Sequence, residues 1–191
     1  KAQTPAHKFL NYVKDSPLKE RLSKLNMLEM QGDLNLNLQL EIPLYPENNK
    51  VLASGQVQFN DNRVIASYMM QKLQLDSVSG NLLFDELGII NSDLKAELLG
   101  DPINMQVQSV RSLSPFTRIN VSGHTPLELI KEKLKLPFIS FMQGSFSFAA
   151  QMILTDDPND LDKLHFTTSL DGVAIDLPEP FGKNSRQNAS F

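Results

Sequence analysis

Leu28-Glu29-Met30-Gln31-Gly32-Asp33-Leu34-Asn35-Leu36-Asn37-Leu38-Gln39-Leu40-Glu41-Ile42-Pro43-Leu44 decides the fold of this chain. Every even position is apolar or Gly, and every odd one is polar or Pro. Strand side chains alternate between faces, so this spacing puts the leucines on one side of a β-ribbon and the amides and acids on the other. At 3.3 Å per residue the run would span about 50 Å, roughly three ordinary strands of about 5–6 residues. Leaving its eight apolar side chains in water would forfeit very roughly 12–24 kcal/mol. Something apolar has to cover that face.

The alternation continues outward. Val51, Ala53, Gly55, Val57 and Phe59 form the next run after a turn-rich stretch with Pro46 and Asn48-Asn49. Asp61-Asn62-Arg63 reads as a hairpin turn into a strand from Val64 to Leu75. Val78 to Phe84, Ile89 to Leu99, Ile103 to Val107, Arg118 to Gly123, Phe146 to Leu154 and Leu164 to Leu170 follow, broken at Asp85 to Gly88 and at Gly100-Asp101-Pro102. Three helix starts share one pattern: Thr4-Pro5, Ser16-Pro17 and Thr125-Pro126 set a capping hydroxyl before a proline. Thr125 and Glu128 also have capping-box spacing. The spacing predicts about nine strands and two or three helices. A helix before Gly32 and another before Gly144, each leading into an alternating strand, hint at repetition, with units 1–124 and 125–191.

Composition narrows the function classes. With 41% hydrophobic and 21% charged residues, the chain reads as folded. Its net charge is −4 and its 18 Lys and Arg are scattered, which argues against a nucleic-acid groove. Cysteine is absent, so no disulfide or thiolate chemistry is available. His7, His124 and His165 lack metal-ligand spacing, and Asp156 to Asp162 lacks the Gly and distal Glu of a calcium loop. No nucleophile elbow, dinucleotide fingerprint or phosphate loop occurs. Neither an enzyme nor a cofactor or metal site is expected. An outer-membrane barrel would carry aromatic girdles, whereas Trp is absent and Tyr numbers three. The chain opens on Lys1 and closes on a polar tail, as a piece of something longer would.

At Gly80 to Ile89, and again through Leu94 to Pro102, the chain resembles the YhdP family of AsmA-like proteins. The likeness returns at Leu170-Asp171-Gly172-Val173-Ala174-Ile175-Asp176-Leu177-Pro178 through Lys183, and at Ile42-Pro43-Leu44. The resemblance implies a very long envelope protein, anchored in the inner membrane and projecting into the periplasm. It implies the half-open, apolar-lined sheet of bridge-like lipid transfer proteins, carrying phospholipid between inner and outer membranes. This chain lacks the anchor and most of that length, so it would be one section of such a conduit.

The expected fold is therefore mainly β: one segment over 1–191, a long antiparallel meander curved into a groove or β-taco, with short helices at the N-terminus and between repeats. The expected cargo is phospholipid acyl chains, held non-enzymatically. The lining expected from the alternation is Leu34, Leu36, Leu38, Leu40, Val57, Phe59, Leu82, Phe84, Phe146, Phe148 and Phe166. The raw edges of a sheet cut from a longer array favour end-to-end self-association. The alternative is a closed sandwich or helix-covered core, a periplasmic scaffold that binds no lipid, because one alternating face is also half of an ordinary core.

Overall fold

The structure, a computed structural model, describes residues 2–15, 27–44, 52–68, 71–112, 114–134, 137–155, 157, 159–178 and 180–187. It opens with β1 (Ala2–Pro5) and α1 (Ala6–Asp15). A run of strands follows: β2 (Leu28–Gln31), β3 (Asp33–Glu41), β4 (Leu52–Tyr68), β5 (Gln71–Asp85), β6 (Gly88–Ile89), β7 (Ser92–Leu98), β8 (Asp101–Val110) and β9 (Phe116–Pro126). After α2 (Leu127–Leu134) and a 3-10 turn at Pro137–Phe141 come β10 (Met142–Thr155), β11 (Lys163–Thr168) and β12 (Val173–Ile175). The protein is mainly β. All 12 strands join one sheet in the order β1-β3-β4-β5-β7-β8-β9-β10-β11, with β2 against β4, β6 against β5 and β12 against β10. Every pairing is antiparallel, the long meander expected from the sequence.

Register keeps the apolar face continuous. One row runs Leu34, Phe59, Gly80, Leu94, Met105, Val121, Ala150, Phe166, each residue opposite the next, across eight strands. The opposite face carries cross-strand amide pairs: Gln56 Nε2 donates to Asn81 Oδ1 at 2.7 Å, and Gln151 Nε2 to Asn120 Oδ1 at 3.1 Å. Such pairs stabilise a solvated sheet face by a few tenths of a kcal/mol each.

The founding run is not one strand. It breaks at Gly32, where φ is +94°, and its two parts pair with different halves of β4. Between Leu34–Phe59 and Met30–Val64, β4 uses one residue more than its partner. Between Gly80–Leu94 and Leu75–Leu98, β5 likewise uses one more than β7. These are β-bulges, and they bend the strands that contain them. Asp61 (φ +56°) and Ser77 (φ +51°) take the left-handed conformations. The turn expected at Asp61-Asn62-Arg63 is thus a bulge inside a 17-residue strand, which pairs with β5 as far as Tyr68 opposite Gln71. Asn62 is fully buried (0% exposed). Its Nδ2 donates to the Gln31 and Asp33 carbonyls, both at 3.1 Å, and its Oδ1 accepts from Asn60 N at 2.8 Å. A Cβ on Gly32 would stand 2.7 Å from Asn62 Nδ2, so glycine there leaves room for the amide.

Gly144 holds the corresponding place in β10. Its φ is +110°, and the partner chain breaks opposite it, between β11 and β12, where Leu170 takes φ +53°. There Lys183 Nζ donates to the Leu170 and Val173 carbonyls at 3.0 and 2.8 Å.

Ala6 and Leu10 of α1 are buried and Phe9 half-buried against the sheet, as their helical spacing requires. They are the members of the main buried cluster that lie outside the strands, among the described residues. Its other buried members lie on the apolar face of β2 to β8, with Ile119, Val121 and Phe148 of β9 and β10 packed against them. A helix expected near Leu18 to Leu25 lies outside the described residues. The third predicted helix starts at Leu127, while β9 continues through Thr125 and Pro126. The Thr125 hydroxyl donates to Asp101 Oδ2 at 2.7 Å, tying the helix start to the β7–β8 turn. Leu127, Ile139, Phe146, Leu170 and Val173 form a second small core.

Candidate functional site

All eleven expected lining residues lie on the apolar face, and the structure sorts them by depth. Leu34, Val57, Phe59, Phe84 and Phe146 are buried, Val57 to 1% exposure. Leu36, Leu38, Leu82 and Phe148 are half-buried against them. Leu40 and Phe166 are open, at 51% and 54%. Along β3 and beyond it exposure climbs steadily, from Leu34 through Leu36 and Leu38 to Leu40, Ile42 and finally Leu44 at 91%. The face is filled near the bulges and bare at the far end.

A second bare region follows β11, an edge strand. Leu164 and Phe166 stand exposed there. Phe166 stacks on Phe148 with ring centroids 5.7 Å apart and planes 16° apart, and Phe146 meets both rings at 6.3 and 6.4 Å. This aromatic trio connects the filled part of the face to the sheet edge. Ile42, Leu44 and Leu164 share the face and are more exposed than most of the expected lining. The alternation contained them, but nothing in it says that strand ends and edges stay bare while strand centres fill.

The buried polar residues Asn62, Ser92, Thr125 and Thr155 are hydrogen-bonded, as burial demands, whereas Arg118 Nε is buried without a partner among the described residues. Ser92 Oγ accepts from Leu83 N at 2.9 Å and donates to Ile90 O at 2.7 Å. Thr155 Oγ1 accepts from Asp157 N at 3.1 Å, and Asp162 Oδ1 accepts from Thr155 N at 3.0 Å. The aspartate cluster is thus bound into its hairpin loop. No group of three metal-ligating side chains occurs among the described residues. His124 sits between Ser147 Oγ (3.2 Å) and Ser145 Oγ (3.0 Å) on the exposed side of the sheet. No carboxylate orients that ring among these contacts, so it lacks the third member of a nucleophilic triad. Asp76 accepts from Gln74 and from Arg63, and those bonds hold its carboxyl below the ordinary value.

A depression of about 820 Å³ crosses the other face, at right angles to the strands, from β5 to β11. Its bed is the backbone of Gly80, Leu94, Met105, Val121 and Ala150, whose side chains point away from it. A twisted sheet is saddle-shaped, so its two faces are concave along different directions. The apolar face and this wet trough are separate surfaces.

The family model described as YhdP protein matches residues 1–191. The chain belongs to the YhdP family. The Intermembrane phospholipid transporter YhdP of Escherichia coli (strain K12) is 31% identical to it over 120 residues. That match takes in 59% of this chain and 9% of the transporter, so the chain corresponds to a small part of its relative's length. No solved structure matches. Among the described residues no helix is long and apolar enough to cross a membrane.

Proposed function

We propose that this YhdP-family chain is one section of a periplasmic wall along which phospholipid moves between inner and outer membranes. Acyl chains lie on the open part of the apolar face, over Leu36, Leu38 and Leu40 and against Phe148 and Phe166. Leu34, Val57, Phe59, Leu82, Phe84 and Phe146 form the floor beneath. The supporting observation is the gradient of exposure along the apolar side of β3, from sealed at Leu34 to half bare at Leu40, with Ile42 and Leu44 just beyond the strand barer still. A core has no use for its bare end, and a hydrocarbon guest does. Each methylene laid on such a wall gains about 0.8 kcal/mol, without hydrogen bonds that would fix the guest in place. Residues 1–124 and 125–191 serve as repeat units of the wall, each with its kink at a left-handed glycine. The membrane anchor belongs to the full-length parent, and no chemistry is required of the wall. The unpaired edge of β11 is where isolated fragments would associate.

A second reading has its own observation. Five of the expected lining residues are already sealed, and the 820 Å³ depression lies on the polar face. A scaffold section that binds no lipid would look the same there. Native mass spectrometry of the purified chain with lipid extraction separates the two. Co-purified phospholipid, and loss of it in Leu40→Asp, supports transport. Clean protein that takes up no fluorescent acyl probe leaves the scaffold.

A further inference from the structure

We infer that the trough on the polar face is a binding site for a neutral polyhydroxyl chain, a glycan, distinct from the lipid-bearing face. The trough crosses six strands, which at about 4.8 Å per strand makes it about 24 Å long. That shape fits an extended polymer rather than a compact solute.

Two rows of side chains line it. One row, Ser79, Lys95, Asn104, Ser122, Ala149 and Thr167, is dominated by small residues and leaves the space. The other, Asp93, Gln106, Asn120, Gln151 and His165, is longer and mostly amide. Gln106 Nε2 donates to Asp93 Oδ1 at 2.9 Å, and Gln151 Nε2 to Asn120 Oδ1 at 3.1 Å. Those pairs fix the amides in place yet leave each with further donors and acceptors. The Asn104, Ser122 and Thr167 side chains make no hydrogen bond among the described residues, and all three residues line the same space.

Chemistry selects the ligand. A hydroxyl both donates and accepts, and so does an amide, so a sugar chain can pair with this lining along its whole length. One Asp and one Lys balance each other, and a polyanion would meet Asp93 with no basic stripe to offset it. His165, at the β11 end, is the one ring in the lining, so there is no row of rings on which successive bases could stack. An acyl chain would have to desolvate these amides without replacing their bonds.

The test is a solution NMR titration of the 191-residue chain with tetra-N-acetylchitotetraose and maltotetraose, taken into the millimolar range. Shifts of the Asn104, Asn120 and Gln151 side-chain amides are expected. Ala149→Leu and Ser122→Leu, each filling the trough from a different strand, should weaken binding by at least about tenfold. Asn35→Ala, on the same face outside the trough, should leave it unchanged. Circular dichroism confirms that each variant is folded. The inference is overturned by no shift with either glycan, by shifts on apolar-face residues instead, by undiminished binding in both filled variants, or by tighter binding of inorganic polyphosphate. None of these outcomes bears on lipid co-purification, so this site and the lipid wall stand or fall separately.

Discussion

Replacing Asn62 should unlock the bend in the sheet. Its side chain is fully buried and satisfies two carbonyls and one amide at the kink. Asn62→Ala strands all three, and at about 1–1.5 kcal/mol for each partly buried group the loss is about 3–4.5 kcal/mol. Asn62→Asp keeps the shape and the bond from Asn60, but turns a carboxylate oxygen toward the Gln31 and Asp33 carbonyls. At neutral pH it should therefore be worse than alanine. Burial and those carbonyls raise the folded pKa of such an aspartate above its unfolded value of about 3.9. The charge penalty is then absent below the unfolded value and grows as pH rises, by about 1.4 kcal/mol per unit, until the folded pKa is passed. Urea unfolding followed by far-UV circular dichroism, at neutral and acid pH, measures both differences. If both variants stay within about 1 kcal/mol of the parent, or if aspartate is no worse than alanine at neutral pH, the amide does not hold the bend.

Four other substitutions probe three separate features. Leu99 occupies a left-handed position (φ +57°) beside Gly100 (φ +93°) in the two-residue β7–β8 turn. Leu99→Asn should raise stability by about 0.5–1 kcal/mol in the same unfolding assay, because that turn prefers Asn-Gly. Val57→Asp buries a charge at a sealed position and should cost several kcal/mol, whereas Leu40→Asp at a half-exposed one should cost under about 1 kcal/mol while abolishing acyl-probe uptake. Equal costs would mean the face is uniformly sealed. Arg63→Gln removes one of the donors that depress Asp76, so the NMR-titrated midpoint of Asp76 should rise. A depressed folded pKa stabilises above the unfolded value and is lost as pH falls through the folded one. With the pair this exposed (50% and 37%), the stability change should be small.

How much of this was legible follows from phase. The apolar face, the antiparallel order and the apolar-side placement of all eleven expected lining residues follow from period-two spacing, because residues directly opposite each other in an antiparallel pair share a face. The bulges were visible as a phase slip: Val57 and Phe59 are odd while Val64 and Ala66 are even, and Leu73 and Leu75 are odd while Val78 to Phe84 are even. Read locally, a slip at Asp61-Asn62-Arg63 fits a turn as well as a bulge, since both favour left-handed Asp and Asn. Only the pairing of β4 with β2 and β3 on one side and β5 on the other decides between them, and pairing is not local. Depth was illegible for the same reason. Leu34 and Leu40 are chemically identical neighbours in one alternating run, yet one is sealed and the other half bare. That difference is made by residues that come near only once the sheet is bent, such as Ala6 and Phe59 in the cluster with Leu34. The trough escaped altogether, because it depends on residues from six strands, small ones from four of them, falling into register.

Matched bulges explain how one chain can be bent and still present an unbroken wall. A single extra residue in one strand would turn every later side chain to the wrong face. Here β4 and β5 each carry one, side by side, and their pairing runs five residues against five between Phe59–Gly80 and Val64–Leu75. The slip in β4 is thereby matched in β5, and Gly32 absorbs it on the flank of β3. The apolar row stays continuous on both sides of the kink. On the proposed function, a guest moving along that row would exchange one hydrocarbon contact for another of nearly equal energy, so the wall itself would impose no direction. Net flow across such a section must be set at its ends, by what loads and removes the lipid there. If the chain is such a section, its own residues govern only whether the row is unbroken, and the weight would then fall on the kink held by Asn62 rather than on any single leucine.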